Sequence, residues 1–151
     1  VSQAPSAVDW TAGTDVKTYH SCAYNYSLAY PARWTTVTAD LNSPDAKFHG
    51  DNIALSVTSH ASGKMTLDDF YRQQASRTPG TITSSRDQER NGKRLIADQY
   101  QNPEAVYVYW EDQDSFLELA VTGRQVNDFI VNTDFFSYFN TNASNPDLCG
   151  N

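Results

Sequence analysis

Two cysteines are the first candidates for chemistry in this chain. Cys22 and Cys149 lie near opposite ends of the 151-residue sequence, with no third cysteine and no C-x-x-C pair. They allow one intramolecular disulfide, which would tie the start of the domain to its end in an oxidising compartment. In a reducing compartment they would be small core residues instead. Because Cys149 lies in the polar segment 145–151, where a buried thiol would lack apolar neighbours, we favour the disulfide.

The three histidines follow no spacing typical of a metal site. His20, His49 and His60 are far apart and form no H-E-x-x-H pattern. Each is therefore predicted to be a surface or loop residue. His20 stands two positions before Cys22 and could in principle share a metal ion with it, but the disulfide would use that thiol. We therefore predict no metal ligand in this chain.

Acidic residues could form either a calcium loop or a pair of catalytic carboxylates. Glu111, Asp112 and Asp114 could bind Ca²⁺ weakly, but Phe116 and Leu117 stand where an EF-hand loop needs its next oxygen ligand and glycine. We therefore interpret these acids as a solvated hairpin turn rather than as a calcium site. The 18 acidic residues of the chain leave many possible catalytic pairs, and no spacing selects one. No catalytic residue is predicted.

The sequence contains no motif for nucleophilic catalysis or for nucleotide binding. G-x-S-x-G, S-x-x-K, G-x-G-x-x-G and the phosphate-binding G-x-x-x-x-G-K-[ST] are all missing. Eleven Lys and Arg against 18 Asp and Glu give a net charge of -7, which opposes binding to nucleic acid or to anionic lipid surfaces. We predict no cofactor and no nucleic-acid partner.

Two groups of side chains could bind a ligand without catalysis. Basic residues interleaved with acids surround one hairpin turn, a mixture typical of an edge strand that is kept soluble. Aromatic residues could stack on a sugar or a peptide, but their strand spacing is more typical of a core. The basic group comprises Arg86, Arg90, Lys93 and Arg94. The aromatic group comprises Tyr24, Tyr26, Tyr30, Trp34, Tyr107, Tyr109 and Trp110.

Hydrophobic periodicity predicts the elements that position these side chains. Thr66-Leu-Asp-Asp is a helix start, Asn91-Gly92 predicts a tight hairpin, and the polar segment from Ala39 to Asp51 predicts a loop. Strands are predicted over Ala23–Tyr30, Asn52–Ser59, Thr81–Arg90, Lys93–Gln101, Ala105–Trp110 and Ser115–Thr122, the last four as a meander. Helices are predicted over Leu67–Arg77 and from Gln125 to Asn132, the second running on toward Phe139.

The length predicts one folded domain. Residues 1–18 are predicted to be a spacer or a short helix, since the stretch from Ala7 to Tyr19 is ambiguous, and residues 19–151 a single domain. The longest apolar run has six residues, from Ala105 to Trp110, against about 20 needed to cross a bilayer. Because that run is apolar on both faces, its strand is predicted to be covered on both sides.

The run from Tyr24 to Trp34, which ends in Tyr-Pro-x-x-Trp, resembles the opening of the Mog1/PsbP-like superfamily. The resemblance continues through the Ile53 to Val57 strand, the helix start at Thr66 and the closing Phe135-Phe-Ser-Tyr-Phe. It implies an α+β fold in which an antiparallel sheet is flanked by helices, an α/β/α sandwich, and this agrees with the two-sided burial. Members of that superfamily are mostly non-enzymatic: accessory subunits of photosystem II, a binding partner of a nuclear GTPase, and bacterial lipoproteins.

We therefore expect a non-catalytic extracytoplasmic module, secreted or anchored at the cell surface, that binds a protein or a cell-envelope component through its sheet edge or loops. The cysteine pair and the small, polar opening from Val1 to Ala7, typical of a spacer between an anchor and a module, favour this hypothesis. Two alternatives stay open. One is a carboxylate-dependent hydrolase, and the other is the globular head of a pilin-like subunit.

Overall fold

The computed structural model describes residues 16–38, 45–50, 52–90, 92–112, 114–132, 135–141 and 149. Nine strands and three helices follow one another within these residues. The strands are β1 (Val16–Ser21), β2 (Tyr26–Pro31), β3 (Thr35–Thr38), β4 (Ala46–Gly50), β5 (Ile53–Ala61), β6 (Thr81–Arg90), β7 (Lys93–Gln101), β8 (Ala105–Asp112) and β9 (Ser115–Gly123). The helices are α1 (Leu67–Arg77), α2 (Val126–Asn132) and α3 (Phe135–Tyr138).

Seven strands form one antiparallel sheet in the order β3-β4-β5-β9-β8-β7-β6. The predicted meander is confirmed, because β6 pairs with β7, β7 with β8, and β8 with β9. Helix α1 packs against one face of the sheet, and α2 and α3 lie on the other. The fold is therefore α+β with helices on both faces, as predicted.

A second, two-stranded sheet is formed by β1 and β2, which pair with Tyr19 opposite Leu28. It lies over the same face of the main sheet as α2 and α3, since its buried side chains belong to their core. Ser27 of β2 also bonds to Asn140 near the end of the chain: the two exchange backbone hydrogen bonds of 2.8 and 2.9 Å. This layer thus brings together both ends of the described sequence.

Helix α1 has the bounds that the sequence predicts. Its N-cap, Thr66, accepts a hydrogen bond from the backbone N–H of Asp69 at 3.1 Å, and the acids of the first turn suit the positive end of the helix dipole. The helix ends at Arg77, shortly before Pro79. Leu67 and Phe70 point inward and are buried. This helix therefore combines a local start signal with an apolar side that faces the sheet.

Aromatic rings fill the core on both sides of the sheet. Trp110 is fully buried between Tyr26 and Phe139, with ring centroids 5.7 and 5.3 Å away. On the α1 side, Phe70 stacks on Phe116 with centroids 4.8 Å apart. The aromatic residues singled out in the sequence are mainly core, as predicted. Buried are Tyr26, Tyr30, Trp34, Tyr109 and Trp110, and half-buried are Tyr24 and Tyr107.

The segment from Ala39 to Asp51 is not a loop throughout, because β4 lies within it. Ala46 and Phe48 are buried, but the alternate side chains of this short strand are polar and the apolar pattern is correspondingly weak. The indole of Trp34 lies directly against β4, since a Cβ on Gly50 would stand 2.3 Å from its ring. Residues 39–44 and 51 fall outside the described residues.

Two further bounds differ from prediction. Strand β1 begins at Val16, so the folded part begins before residue 19; its first three residues are exposed and lack an alternating pattern. Strand β2 begins at Tyr26, because residues 22–25 form a turn in which Asn25 has a φ of 53°. The second predicted helix agrees with α2 and, toward Phe139, with α3. Positions 133–134 between them, like 1–15, fall outside the described residues.

Candidate binding groove at the sheet edge

A groove of about 620 Å³ lies between the edge strand β6 and the helices α2 and α3. Ala97 and Val106 of the neighbouring strands and Ile130 and Val131 of α2 supply apolar walls. Phe136 of α3 also lines the groove. Strand β6 contributes a polar wall made of Ser84, Arg86, Gln88 and Arg90. The size and this mixture of apolar walls with a few polar groups are typical of ligand-binding clefts in proteins.

Strand alternation places the two arginines in the groove. Side chains two residues apart lie on the same face of a strand, so Arg86, Gln88 and Arg90 line the groove together. Asp87 points to the opposite face, where it meets Arg94. At about 3.3 Å per residue, Arg86 and Arg90 stand about 13 Å apart along the strand. The groove therefore carries two positive charges along one wall in a chain whose net charge is negative.

The acids on the opposite face of the sheet are engaged by one guanidinium. Arg94 binds Asp87 through Nε and Nη2 at 2.9 and 2.6 Å, and binds Asp68 of α1 through Nη1 and Nη2 at 3.2 and 2.7 Å. These hydrogen bonds lower the pKa of both carboxyl groups and raise the pKa of Arg94. The negative charge of Asp87 is thus directed away from the groove.

Hydrogen bonds hold the helical wall against the sheet. Arg90 donates to the backbone carbonyl of Phe136 and so links β6 to α3. Gln99 of β7 donates its amide to Asn127 of α2 at 2.5 Å. The backbone N–H of Asn127 in turn donates to the Glu104 carboxylate at 3.3 Å. The groove is therefore lined by packed elements that are fixed to one another, and Arg86 is left exposed on its rim.

The outer edge of β6 offers a second mode of contact beside the groove. No strand in the described part of the chain pairs with that edge, so alternate residues direct backbone N–H and C=O groups outward. The strand is ten residues long, and most of its side chains are exposed. Val131 at the helical side is 74% exposed, high for a large apolar residue. An extended chain could pair with this edge and place side chains in the groove.

The predicted cysteine pair is joined: Cys22 and Cys149 form a disulfide with their Cα atoms 5.5 Å apart and 127 positions apart in sequence. Both half-cystines are half-buried. The bridge holds residue 149 against the turn that follows β1. It lies apart from the groove, since neither cysteine is among the groove-lining residues.

The histidines do not all lie at the surface, contrary to prediction. His20 is only 6% exposed, because it is near the end of β1, where that strand is covered on both sides. Burial lowers the pKa of its imidazole. His49 is exposed on β4, whereas His60 is half-buried and contacts the ring of Phe70 with centroids 5.1 Å apart.

The acids considered for calcium or catalysis do not converge among the described residues. Asp112 pairs with Lys93, while Glu111 and Asp114 are exposed, and these three form no potential metal-holding group there. Asp98 is the one described acid that borders the groove. It is buried and accepts a hydrogen bond from Ser85 Oγ at 2.6 Å, so this lining holds no carboxylate pair of the kind that a glycosidase uses.

Glu118 is a half-buried acid on the α1 face. It lies opposite Thr58 of β5 and Tyr109 of β8. Burial raises the pKa of its carboxyl group, while His60 and a hydrogen bond with Tyr109 act against that rise. The folded protein therefore holds a proton on Glu118 more tightly than the unfolded chain does, and this contribution to stability is present at low pH and lost as pH rises above about 4.5 through the folded-state pKa.

We predict that Glu118→Gln stabilises the protein at pH 7, because the amide has no charge to desolvate. The gain in Tm over the wild type should shrink as the pH is lowered through the raised pKa of Glu118, because the wild-type carboxyl then takes up a proton and loses its charge. Thermal unfolding from pH 4 to pH 8 measures the difference, with Glu111→Gln on the exposed part of β8 as the control. A gain in Tm that is equal at all pH values would contradict the prediction.

The groove itself was not predicted, although one of its walls is visible in the sequence. Together with Asp87 and Glu89, the basic residues of β6 are typical of an edge strand of mixed charge. Successive side chains of a strand point to opposite faces, so Arg86, Gln88 and Arg90 lie on one face of β6 and both acids lie on the other. The helical wall has no comparable sequence signal, because it depends on where α2 and α3 pack.

The comparisons with known proteins agree with the fold. No protein-family model and no curated protein matches the chain. Among solved structures, it is similar to the solution structure of cyanobacterial PsbP (CyanoP) from Synechocystis sp. PCC 6803, with a TM-score of 0.60 and 16% identity over 93% of this chain and 98% of that one. The Mog1 part of the resemblance stays a prediction. The chain has a PsbP-like fold.

Proposed function

We propose that the chain is a non-catalytic extracytoplasmic binding module, tethered at the cell surface, whose groove beside β6 binds an extended acidic segment of a protein or cell-envelope partner. The observation that carries the proposal is the pair of arginines along an unpaired strand edge, next to apolar walls. Edge pairing supplies affinity through main-chain hydrogen bonds, and a groove beside it selects side chains.

The arginine spacing indicates the form of the ligand. An added strand would run beside β6 with the same repeat, so acids at positions i and i+4 would stand about 13 Å apart, close to the separation of Arg86 and Arg90. Arginine binds carboxylates through two parallel N–H groups. An apolar residue at i+2 would face the apolar walls that include Val131 and Ile130. A short extended segment of the pattern Glu-x-Val-x-Glu fits these features.

The disulfide supports the compartment. Structural disulfides persist in secreted proteins and at cell surfaces, and they are rare in the cytosol. The pair Cys22–Cys149 closes almost the whole chain into one loop. In the described residues, no helix has the length and apolar character required to span a bilayer. Attachment through a spacer ahead of the domain is part of the proposal.

A synthetic nine-residue peptide containing Glu-Thr-Val-Thr-Glu tests the groove. We expect its binding to shift the backbone amide resonances of β6 and α2, and Arg86→Glu to weaken its affinity by about tenfold or more, the value of one charge-assisted hydrogen bond. Arg77→Glu makes the same charge change on α1, across the sheet, and should leave the affinity nearly unchanged.

The same peptide with both glutamates replaced by lysine separates specific binding from general association. It should bind far more weakly, because the chain is acidic and the groove is basic. Three results would contradict the proposal: equal affinity for the two peptides, equal losses of affinity in Arg86→Glu and Arg77→Glu, or resonance shifts confined to residues outside β6 and α2. Absence of binding by the acidic peptide would also contradict it.

A further inference from the structure

Three metal-ligating side chains meet at the disulfide. The imidazole of His20 and the sulfurs of Cys22 and Cys149 have ligand atoms that all lie within 4.8 Å of one another. Among the residues that the structure describes, this is the only such group of three or more His, Cys, Asp or Glu side chains. In a tetrahedral zinc site, two sulfurs lie about 3.8 Å apart, because each Zn–S distance is about 2.3 Å. Here the two sulfurs are bonded to each other, so they must move apart to that separation once the disulfide is reduced, while the imidazole already lies beside them.

His20 carries an independent indication of a ligand. The residue is only 6% exposed, and its buried Nε2 has no hydrogen-bond partner in the described part of the chain. A buried polar atom without a partner costs about 1–3 kcal/mol, and a bound ion is one of the partners that would remove this cost. A neutral imidazole nitrogen is a common zinc ligand.

We propose that reduction of the Cys22–Cys149 disulfide turns this cluster into a site for one Zn²⁺ ion, held by His20, Cys22 and Cys149. A dithiol reductant supplies two electrons and two protons: the S–S bond breaks, two thiols form, and the reductant becomes a disulfide. Zn²⁺ then displaces the two thiol protons to solvent and binds both thiolates and the imidazole nitrogen. Water completes the fourth position, as in zinc sites with three protein ligands.

The site is redox-dependent because the same two sulfurs form either the disulfide or the metal bonds. Both cysteines are half-buried rather than enclosed, so a small reductant can reach them. Two thiolates and an imidazole favour zinc and similar borderline-soft ions over Mg²⁺ and Ca²⁺, which prefer oxygen ligands. The inference does not rest on the proposed peptide binding, since the cluster contains no groove residue.

Cobalt titration of the full chain tests the site. After reduction with a water-soluble phosphine, one equivalent of Co²⁺ should produce a thiolate-to-cobalt charge-transfer band and the visible bands of tetrahedral cobalt, and Zn²⁺ should displace it. The oxidised protein should show neither band. His20→Gln should weaken Co²⁺ binding by at least about tenfold, whereas His49→Gln, an exposed histidine of β4, should have no effect.

Three results would overturn the proposal. They are the absence of binding by the reduced folded protein, binding that His20→Gln leaves unchanged, and binding by the oxidised protein. If the reduced, metal-free chain loses its native circular dichroism, Zn²⁺ should restore it in the wild type and not in His20→Gln. Failure of Zn²⁺ to restore the fold, or equal restoration in both proteins, would equally reject the site.

Discussion

Replacing Gly123 with alanine is expected to lower the free energy of unfolding by about 3 kcal/mol or more. Gly123 ends β9 with a φ of 127°, and a Cβ there would stand 2.1 Å from the backbone oxygen of Asn52. That oxygen accepts a hydrogen bond of 3.1 Å from the N–H of Arg124. The backbone at Asn52 therefore cannot move away from the added Cβ without breaking this contact between the start of β5 and the end of β9. Denaturant unfolding of the purified variant measures the loss.

Gly63 provides the matched control. It also has a positive φ, 58°, but a Cβ there would have no neighbour within 4 Å. Gly63→Ala should therefore lower the free energy of unfolding by only about 1–2 kcal/mol, which is the cost of placing a residue with a side chain in the left-handed backbone region. If the two variants lose the same stability, the close approach at Gly123 has no energetic role and the prediction fails.

Removing the disulfide is expected to lower the free energy of unfolding by about 2–5 kcal/mol. The bridge joins residues 127 positions apart, and in the chain-entropy model closing so long a loop removes about 5 kcal/mol of conformational freedom from the unfolded state. The double variant Cys22→Ser/Cys149→Ser tests this by denaturant unfolding in the presence of a chelator. The m-value should rise as well, because the unfolded chain expands.

Two further measurements complete that experiment: the number of alkylated thiols, and the stability of each protein in the presence of reductant. The wild type should take up no alkylating agent before reduction and two equivalents after it, and reductant should bring its stability to that of the double variant. The double variant itself should not respond to reductant. Free thiols in the air-purified wild type, or unchanged stability after confirmed reduction, would contradict both the bridge and the oxidising compartment proposed for the chain.

Elements with local signals are predictable from this sequence. Helix α1 depends on Thr66, on the acids of its first turn and on the spacing of Leu67 and Phe70, all within a few residues of one another. The β6–β7 hairpin is similar, since Arg90 pairs with Lys93 across the predicted Asn91-Gly92 turn. Such features are decided by neighbouring residues, and the sequence alone contains them.

Elements that depend on distant partners are harder to predict. Strand β4 has only Ala46 and Phe48 as its inward residues, too few to reveal a period of two, and it is held by β5. Strand β1 begins with three exposed residues and is held by β2. In both, the polar sequence suggests a loop or spacer, while pairing with another strand decides the conformation.

The candidate groove and the cysteine cluster each depend partly on local signals and partly on contacts between distant residues. The cysteine pair follows from there being two cysteines, and the arginine wall follows from strand alternation once β6 is known. The groove also requires α2 and α3 to pack beside β6, which is a property of the whole fold. His20 lies beside both sulfurs because the fold brings residue 149 next to the end of β1. No spacing in the sequence predicts this contact.

The exchange of hydrogen bonds between Ser27 and Asn140 has a consequence for the order of folding. The meander and α1 can form from contacts close in sequence, whereas the β1–β2 layer needs residues from both ends of the chain. Contacts of such long range form slowly. During synthesis the hairpin of β1 and β2 would therefore stay undocked at Ser27 until residue 140 has left the ribosome.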